Sequence, residues 1–343
     1  MSIQDFALAY DDITLCPEYS EIRSRKDPSP RCSIMGLDLE TPILSANMDT
    51  ITESKMAIAM WESGGLGVLH RFMNVEKNCE EYRAVRITGA ECLVSIGAND
   101  WWSRAEALYS EGARRFVIDI AHGHSVLVKD VVERLRKEFG DTVKIMVGNI
   151  ATEGAVHAAK RWGADAVKVG VGGGSICTTR LVTGFGVPMF TSILECSKAA
   201  RSSQLEVVAD GGIRTSGDIV KAMVAGATGV MVGRLLAGSS ETPGEEDSVV
   251  SSTSIQPIYV KQYRGMSSAS TRQRIGSSAL AEGIDAVVLS TGSVKGKVED
   301  LTAGLKSGMS YAGAKTLEEM LRVRWMRQTS HGTIEGTPHI LKD

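Results

Sequence analysis

The chain has 343 residues, of which 43% are hydrophobic and 23% charged, and its formal net charge is −3. This is the composition of a globular protein large enough for one sizeable core. The charges form no basic run and no patch interleaved with aromatic residues, which argues against nucleic acid as a partner. No apolar segment reaches the length of a membrane span, which argues against a membrane partner as well.

Eight short apolar segments, most of them rich in valine and isoleucine, recur along the chain and predict strands. They cover residues 42–46, 65–69, 92–96, 116–120, 144–148, 166–170, 206–210 and 229–233. Continuous apolar character over so few residues is typical of strands that are buried on both faces. Helical patterns separate most of these segments, as at residues 126–139, 154–163 and 216–226. Thr215 or Ser216 is placed to cap the last of these helices.

Strand–helix units that follow one another in this way predict an α/β fold, a TIM (β/α)8 barrel. An open doubly wound sheet is the alternative. That fold more often has a glycine fingerprint in its first turn, and the turn at residues 47–51 has no glycine. A long segment after the eighth strand, at about residues 239–303, predicts a mobile flap or insert. We therefore expect a single catalytic barrel over residues 1–343 with no regulatory module.

The cysteines and the N-terminus indicate where the protein resides. The six cysteines have no CxxC or Cys/His spacing that suits zinc. Scattered cysteines without such a framework are typical of a reducing compartment. The N-terminal residues Met-Ser-Ile-Gln-Asp lack the basic and apolar regions of a signal peptide. A cytoplasmic location is therefore expected.

Polar residues collect where the predicted strands end, which is where TIM barrels place their active sites. The residues concerned are Asn47, Asp49, His70, Arg71, Asp119, Asn149, Asp210 and Arg234. A hydrophobic core gives no reason for polar groups to recur at one end of successive strands. The sequence therefore predicts one site at this end of the barrel.

The loop after the sixth strand, Gly172-Gly-Gly-Ser-Ile-Cys-Thr-Thr-Arg180, places Cys177 among glycines and hydroxyl residues. Amide dipoles in such a turn favour the thiolate, so Cys177 is a candidate nucleophile. A phosphate-binding turn with a passive cysteine is the alternative.

Glycine pairs and loop motifs add candidate binding groups. Paired glycines with free amides after strands seven and eight form the usual phosphate site of a barrel. Asp210 is placed to accept hydrogen bonds from two ribose hydroxyls, or else to cap the next turn. His122 and His124 would suit a metal, but no third ligand is evident, and loop histidines more often hydrogen-bond or stack. Residues 263–267 would read a base edge through their backbone, unless they form an ordinary turn.

Together these motifs resemble those of the IMP dehydrogenase/GMP reductase family, over nearly the whole chain. The cysteine loop and residues 119–125, 148–152, 209–212 and 263–266 all match family motifs. The resemblance implies that Cys177 attacks C2 of the purine of a bound nucleotide, GMP or IMP. It also implies that a nicotinamide cofactor takes part in hydride transfer at C2.

The resemblance assigns roles to the remaining site residues. The ribose and 5′-phosphate side of the substrate would contact Ser175, Asp210, Gly211, Gly212, Gly233, Arg234 and Tyr263. The base would contact Gly265, Met266, Ser267 and Glu282, and the substrate would also meet Asn47 and Met48. The cofactor would lie near Arg71, Asp119, Ala121, Asn149 and Gly170. A monovalent cation, potassium, would bind carbonyls of Gly172, Gly174 and Cys177 in a loop where Gly173 replaces the proline of many members.

Several features favour the reductase branch of the family. Thr179 and Glu282 resemble the pair that protonates the leaving amine of GMP, and Asn47 stands where dehydrogenases usually have proline. We therefore predict an NADPH-dependent GMP reductase of purine salvage, with Cys177, Thr179 and Glu282 as catalytic residues. By resemblance it would be a homotetramer.

The dehydrogenase branch is the alternative, in which IMP and NAD give XMP. Its water-activating base, an arginine beside a tyrosine on the flap, is not matched, because neither Arg272 nor Arg274 precedes an aromatic residue. Residues 233–238, 243–245 and 263–266 nevertheless look as much like dehydrogenases. A catalytically silent nucleotide-binding barrel is a second alternative, which the retained catalytic residues oppose.

Overall fold

The computed structural model describes residues 6–99, 101–249, 257–274 and 280–337. Three short strands come first, β1 (Ile13–Leu15), β2 (Cys32–Ile34) and β3 (Leu37–Leu39). β2 and β3 form an antiparallel hairpin that leads into the main sheet.

Eight parallel strands close into a barrel, and this confirms the predicted TIM fold and excludes the open sheet. They are β4 (Ile43–Ser45), β5 (Leu66–Leu69), β6 (Cys92–Ile96), β7 (Arg115–Asp119), β8 (Lys144–Ile150), β9 (Ala166–Val169), β10 (Glu206–Asp210) and β11 (Gly229–Val232). Each overlaps one of the segments predicted from the sequence. β11 pairs with β4, with Val230 opposite Ile43, so the sheet has no open edge.

Helices alternate with the barrel strands. The helices are α1 (Ser54–Glu62), α2 (Val75–Arg86), α3 (Trp101–Ser110), α4 (Val126–Phe139), α5 (Glu153–Trp162), α6 (Thr179–Thr183), α7 (Met189–Ser203), α8 (Ser216–Val224), α9 (Ala269–Arg274), α10 (Val294–Tyr311) and α11 (Ser330–Glu335). Thr215 caps α8 in a capping box with Asp218, as its position predicts. Within the described ranges, no helix is long and apolar enough to cross a membrane.

Side chains of the barrel strands alternate between two hydrophobic cores, which is why the strands are apolar throughout. Val117 and the inward-facing residues of the other strands fill the inside of the barrel. Phe116 and the outward-facing residues pack between the strands and the helices. The β2–β3 hairpin adds Ile34 to the inner core. The Met35 amide donates to Glu206 Oε2 at 2.7 Å. These contacts close the N-terminal end of the barrel, and the polar loops lie at the other end.

The segment after β11 forms a separate antiparallel sheet of β12 (Asp247–Val249), β13 (Ile258–Arg264) and β14 (Asp285–Leu289). α10, the last barrel helix, begins at Val294, inside the segment that the sequence predicts as the insert. β15 (Trp325–Arg327) pairs with β1 near the chain termini. Residues 250–256 and 275–279 of the predicted insert lie outside the described residues.

Candidate active site

A cleft of about 350 Å³ lies at the C-terminal mouth of the barrel, between the barrel loops and the β13–β14 sheet. The predicted site residues that line it are Asn47, Met48, Arg71, Asp119, Ala121, Asn149, Gly170, Gly172, Gly174, Cys177, Thr179, Asp210, Tyr263, Gly265, Met266, Ser267 and Glu282. Strand ends that are far apart in sequence thus meet in one cavity, because parallel strands of a closed barrel all end at the same face.

Cys177 stands apart from the other cysteines of the chain. It is exposed, whereas Cys92 and Cys196 are buried. Burial raises the pKa of the Cys196 thiol to about 12, and that of Cys92 is raised for the same reason. A buried thiol with a raised pKa is inert, so Cys177 is the cysteine suited to act as a nucleophile.

Hydrogen bonds connect Cys177 to a carboxylate across the cleft. The Cys177 thiol donates to Thr179 Oγ1 at 3.1 Å, and Thr179 Oγ1 in turn donates to Glu282 Oε2 at 2.8 Å. Backbone bonds fix the same geometry, since the Thr178 amide donates to the Glu282 carbonyl at 2.9 Å. The result is a continuous proton path between the nucleophile and Glu282. Thr179 and Glu282 are 103 positions apart in the sequence.

Tyr263 brings the sheet of the insert to the cysteine loop. Its hydroxyl lies 3.1 Å from Ser175 Oγ. A Cβ at Gly233 would lie 3.2 Å from the same hydroxyl, which places Gly233 beside it. Burial raises the pKa of the Tyr263 phenol, although the bond with Ser175 and the charge of Arg234 both oppose this. The neutral phenol, the serine hydroxyl and the glycine amides are the kinds of group that bind a phosphate.

The loops after β9 and β10 pack backbone against backbone. A Cβ at Gly170 would lie 1.9 Å from the Asp210 carbonyl oxygen. Gly211 has φ +117°, and a Cβ there would lie 3.0 Å from the Gly173 carbonyl carbon. Glycine is therefore required at both positions, because any side chain would push the cysteine loop away from Asp210. Gly212 lies against Tyr10 and Met189, just outside the cleft.

Arg264, the last residue of β13, binds the loop that follows β4. Its guanidinium donates to Asp49 Oδ2 at 3.1 Å, and its amide donates to Thr50 Oγ1 at 3.2 Å. Asp49, which the sequence places at a strand end, therefore supports the site from outside the cleft wall. The following turn, residues 265–267, faces the cavity.

Two of the cleft residues that were not predicted as site residues are charged. Lys168, on β9, is buried and donates to Asp210 Oδ2 at 2.7 Å and to Asp119 Oδ1 at 3.4 Å. The sequence does contain a sign of its role, because a lysine inside an apolar strand segment is rarely buried without a partner. Arg272, on α9, lines the cleft together with Cys177. The sequence analysis considered it only as an arginine that lacks an aromatic neighbour.

Metal binding has no support from the carboxylates, cysteines and histidines that the structure describes. Among them no group of three or more is arranged to hold a metal ion. His122 and His124 are exposed in the loop after β7, and the His124 ring lies 6.1 Å from that of Trp162. The Gly174 carbonyl accepts a hydrogen bond from the Cys177 amide at 3.2 Å. A monovalent cation on the carbonyls of this loop stays a prediction.

Comparison with known proteins agrees with this site. Residues 7–339 match the family model described as the IMP dehydrogenase / GMP reductase domain. The inosine-5′-monophosphate dehydrogenase of Cryptosporidium parvum is 33% identical, over 97% of this chain and 94% of that protein. The protein of the same name from Borreliella burgdorferi is 32% identical, over 97% of this chain and 96% of the relative. That from Nitrosopumilus maritimus is 29% identical, over 97% and 98%.

These names do not support the sequence-based preference for the reductase branch, since each relative is named a dehydrogenase. The family prediction itself is confirmed, because the family model matches residues 7–339, a range that includes the cysteine loop, the glycine pairs and the 263–266 turn. The chain belongs to the IMP dehydrogenase/GMP reductase family and is an oxidoreductase of that family.

Proposed function

We propose that this protein is an IMP dehydrogenase, which oxidises IMP to XMP with NAD. The covalent chemistry rests on the hydrogen bonds from Cys177 through Thr179 to Glu282, which serve either branch of the family. The choice of the dehydrogenase rests on the relatives that match nearly the whole chain. The names of the relatives support the dehydrogenase over the reductase predicted from the sequence. NAD accordingly replaces the predicted NADPH as the proposed cofactor.

The nucleotide would lie across the mouth of the barrel. Asp210 offers a carboxylate for the ribose hydroxyls, and the Ser175–Tyr263 pair with the nearby glycine amides offers donors for the 5′-phosphate. The turn at 265–267 lies beside Cys177 in the same cleft and suits the base. A nucleotide held in this way would have C2 of its purine beside the cysteine.

The opposite wall of the cleft fits a nicotinamide. Phe72 offers a flat apolar face, backed by the Arg71 guanidinium 4.5 Å from its ring centroid. Asp119 and Asn149 add polar groups for a carboxamide. When bound, the cofactor takes up the hydride that leaves C2.

The first half of the reaction needs a thiolate. Glu282 accepts the proton of Cys177 through Thr179, and the sulfur–C2 bond forms as the purine nitrogen beside C2 is protonated. Loss of the hydride from C2, together with release of the proton on that nitrogen, restores the carbon–nitrogen double bond and leaves the purine attached to the cysteine sulfur.

The second half needs a base that activates water. Water attacks C2 and the sulfur–C2 bond breaks, so the overall products are XMP, NADH and one proton. A hydrogen-bond chain carries a proton in either direction, so Thr179 and Glu282 serve this step as well as the protonation of an amine. Arg272 is a second candidate base on the cleft wall. The missing arginine–tyrosine pair therefore does not exclude the dehydrogenase.

GMP reductase is the second candidate. In that reaction the Glu282 proton passes through Thr179 to the C2 amine, ammonia leaves, and a hydride from NADPH gives IMP. Gln273 follows Arg272, so the tyrosine of the dehydrogenase base is replaced, and this favours the reductase. Both reactions use the same cleft and the same covalent bond to Cys177.

The deciding experiment follows the absorbance of the reduced nicotinamide with purified protein in both directions. One sample holds IMP with NAD, and the other holds GMP with NADPH or NADH. Chromatography identifies the nucleotide product, and the Cys177→Ala variant is the control. A gain of signal with IMP, accompanied by XMP, supports the dehydrogenase.

Loss of signal with GMP, accompanied by ammonia and IMP, would instead support the reductase. Absence of turnover in both samples would contradict both enzymes and favour the silent nucleotide-binding barrel. The homotetramer, the potassium ion and the cytoplasmic location stay predictions alongside this proposal.

A further inference from the structure

β9 carries one charged residue, Lys168, between the buried residues Val167 and Val169. Its side chain is 3% exposed. An ammonium group in such a place is costly unless hydrogen-bonded partners of opposite charge surround it. A hydrophobic residue would be the default choice at this position, so the lysine requires an explanation.

The Lys168 ammonium is bound on three sides. Its Nζ donates to Asp210 Oδ2 at 2.7 Å, to Asp119 Oδ1 at 3.4 Å and to Asn149 Oδ1. Asn149 Nδ2 donates to the same Asp210 oxygen at 2.8 Å. An ammonium has three N–H donors, and all are engaged here. Lys168 is therefore a fixed cation rather than an acid, a base or a nucleophile.

The barrel makes room for this side chain at Gly148. A Cβ at Gly148 would lie 2.7 Å from Lys168 Cβ and 3.1 Å from Lys168 Cε. The absent side chain on β8 thus leaves a groove in which the lysine stem runs to the mouth of the barrel. The groove thus fixes the path of the lysine stem, and the three acceptors fix the position of its ammonium group.

The charges around the ammonium come from several elements. Asp119 ends β7, Asp210 ends β10, Arg71 follows β5 at 3.7 Å from Asp119, and Tyr263 on β13 also faces Asp210. Burial by itself lowers the pKa of Lys168, but the two carboxylates outweigh it and the pKa is raised. Burial likewise raises the pKa of Asp119, but Lys168 and Arg71 outweigh it and lower the pKa. The cluster is thus neutral with both carboxylates ionised.

We propose that Lys168 is a positioning residue that holds Asp210 and Asp119 in place and thereby couples the ribose subsite to the cofactor subsite. The inference rests on the proposed function, which gives Asp210 to the ribose and Asp119 to the cofactor side. An ionised Asp210 accepts bonds from two hydroxyls, whereas a protonated one loses part of that capacity. Removal of the cation leaves the two carboxylates with one remaining positive neighbour and takes away the hydrogen bond that holds Asp210 Oδ2 in place.

The test compares Lys168→Met with Lys168→Arg, and uses Lys144→Met as the matched control. Lys144 begins β8 at the opposite end of the barrel and pairs with Asp165 on the surface. We expect Lys168→Met to weaken IMP binding on the order of 100-fold and to raise both KM values, that for IMP and that for NAD. Lys168→Arg keeps the charge and should raise both KM values by less, about tenfold. Lys144→Met should leave both unchanged.

A pH series separates this role from a merely structural one. The KM for NAD is measured at saturating IMP for wild type and Lys168→Met from about pH 5 to about pH 8. Lys168 and Arg71 together hold the pKa of the buried Asp119 below its usual range, so removal of the lysine makes this carboxylate harder to ionise. The proposal expects the ratio of the variant's KM to that of wild type to fall as pH rises, because Asp119 of the variant regains its charge.

The proposal is overturned if wild type turns over IMP and either the ratio stays flat with pH or Lys168→Met changes only one KM value or neither. If Lys168→Met does not fold, Lys168→Arg decides, and a change in only one KM value or in neither overturns the coupling. If wild type binds neither IMP nor GMP, the proposed function fails and this inference fails with it. The two failures are therefore distinguishable.

Discussion

Thr179→Val removes the central oxygen of the proton path while keeping the shape of the side chain. Thr179 Oγ1 lies 3.1 Å from Cys177 Sγ and 2.8 Å from Glu282 Oε2, and valine offers neither a donor nor an acceptor. The backbone bond from Thr178 to the Glu282 carbonyl is untouched, so the loop keeps its position. The perturbation therefore acts on proton transfer.

The magnitude follows from these two contacts. Positioned acid–base groups contribute about 10²- to 10⁴-fold to a rate, so kcat should fall by about that factor. The bond to the Glu282 carboxylate is worth about 1.5–3 kcal/mol where both partners are buried. Thr179 is only half-buried. We therefore expect a loss of about 1 kcal/mol in the free energy of unfolding and little change in KM.

Stopped-flow absorbance of the reduced nicotinamide, combined with intact-protein mass spectrometry, separates the two halves of the reaction. In the proposed dehydrogenase, slow hydrolysis leaves the purine attached to Cys177, and the adduct accumulates. Thr183→Val, on the same helix, is the matched control. Thr183 Oγ1 donates to the Thr179 carbonyl at 2.7 Å and accepts from the Phe185 amide at 3.1 Å, so it lies outside the path from Cys177 to Glu282. A Thr179→Val enzyme with kcat within about threefold of wild type, or an equal loss in Thr183→Val, would refute the proton path.

Three further changes test other parts of the structure. Cys177→Ala should abolish turnover and leave nucleotide affinity within about threefold in a binding titration, and residual turnover would rule out covalent catalysis. Gly170→Ala should lower the free energy of unfolding by about 2 kcal/mol or more in urea, because its Cβ meets the Asp210 carbonyl; Gly154→Ala, with open space around it, should not be destabilising. Burial raises the pKa of Glu206, so folding favours its protonated form, and stability is lost as pH rises from about 4 through the folded pKa. Glu206→Gln should thus gain in melting temperature relative to wild type as pH rises, and a difference that does not vary with pH would contradict the assignment.

The sequence by itself determined the architecture. Eight valine- and isoleucine-rich segments separated by helical patterns predicted the closed barrel, because strands buried on both faces must be apolar throughout. The sequence also predicted that Asp210 and Asn149 meet at one site, because polar groups at strand ends converge at one face of a barrel, and both line the cleft. Cys177 was predicted as the nucleophile from the glycines and hydroxyl groups next to it in the chain.

Interactions between distant segments were decided only by the tertiary structure. The resemblance paired Thr179 with Glu282, but their contact depends on how the insert folds back onto the cysteine loop. Arg272 seemed unsuited to a role until α9 brought it to the cleft. Lys168 was overlooked because its partners come from three other strands. The hydrophobic pattern of a segment predicts whether a strand is buried. Which charged groups lie next to a buried side chain depends on the other strands and loops that pack around it.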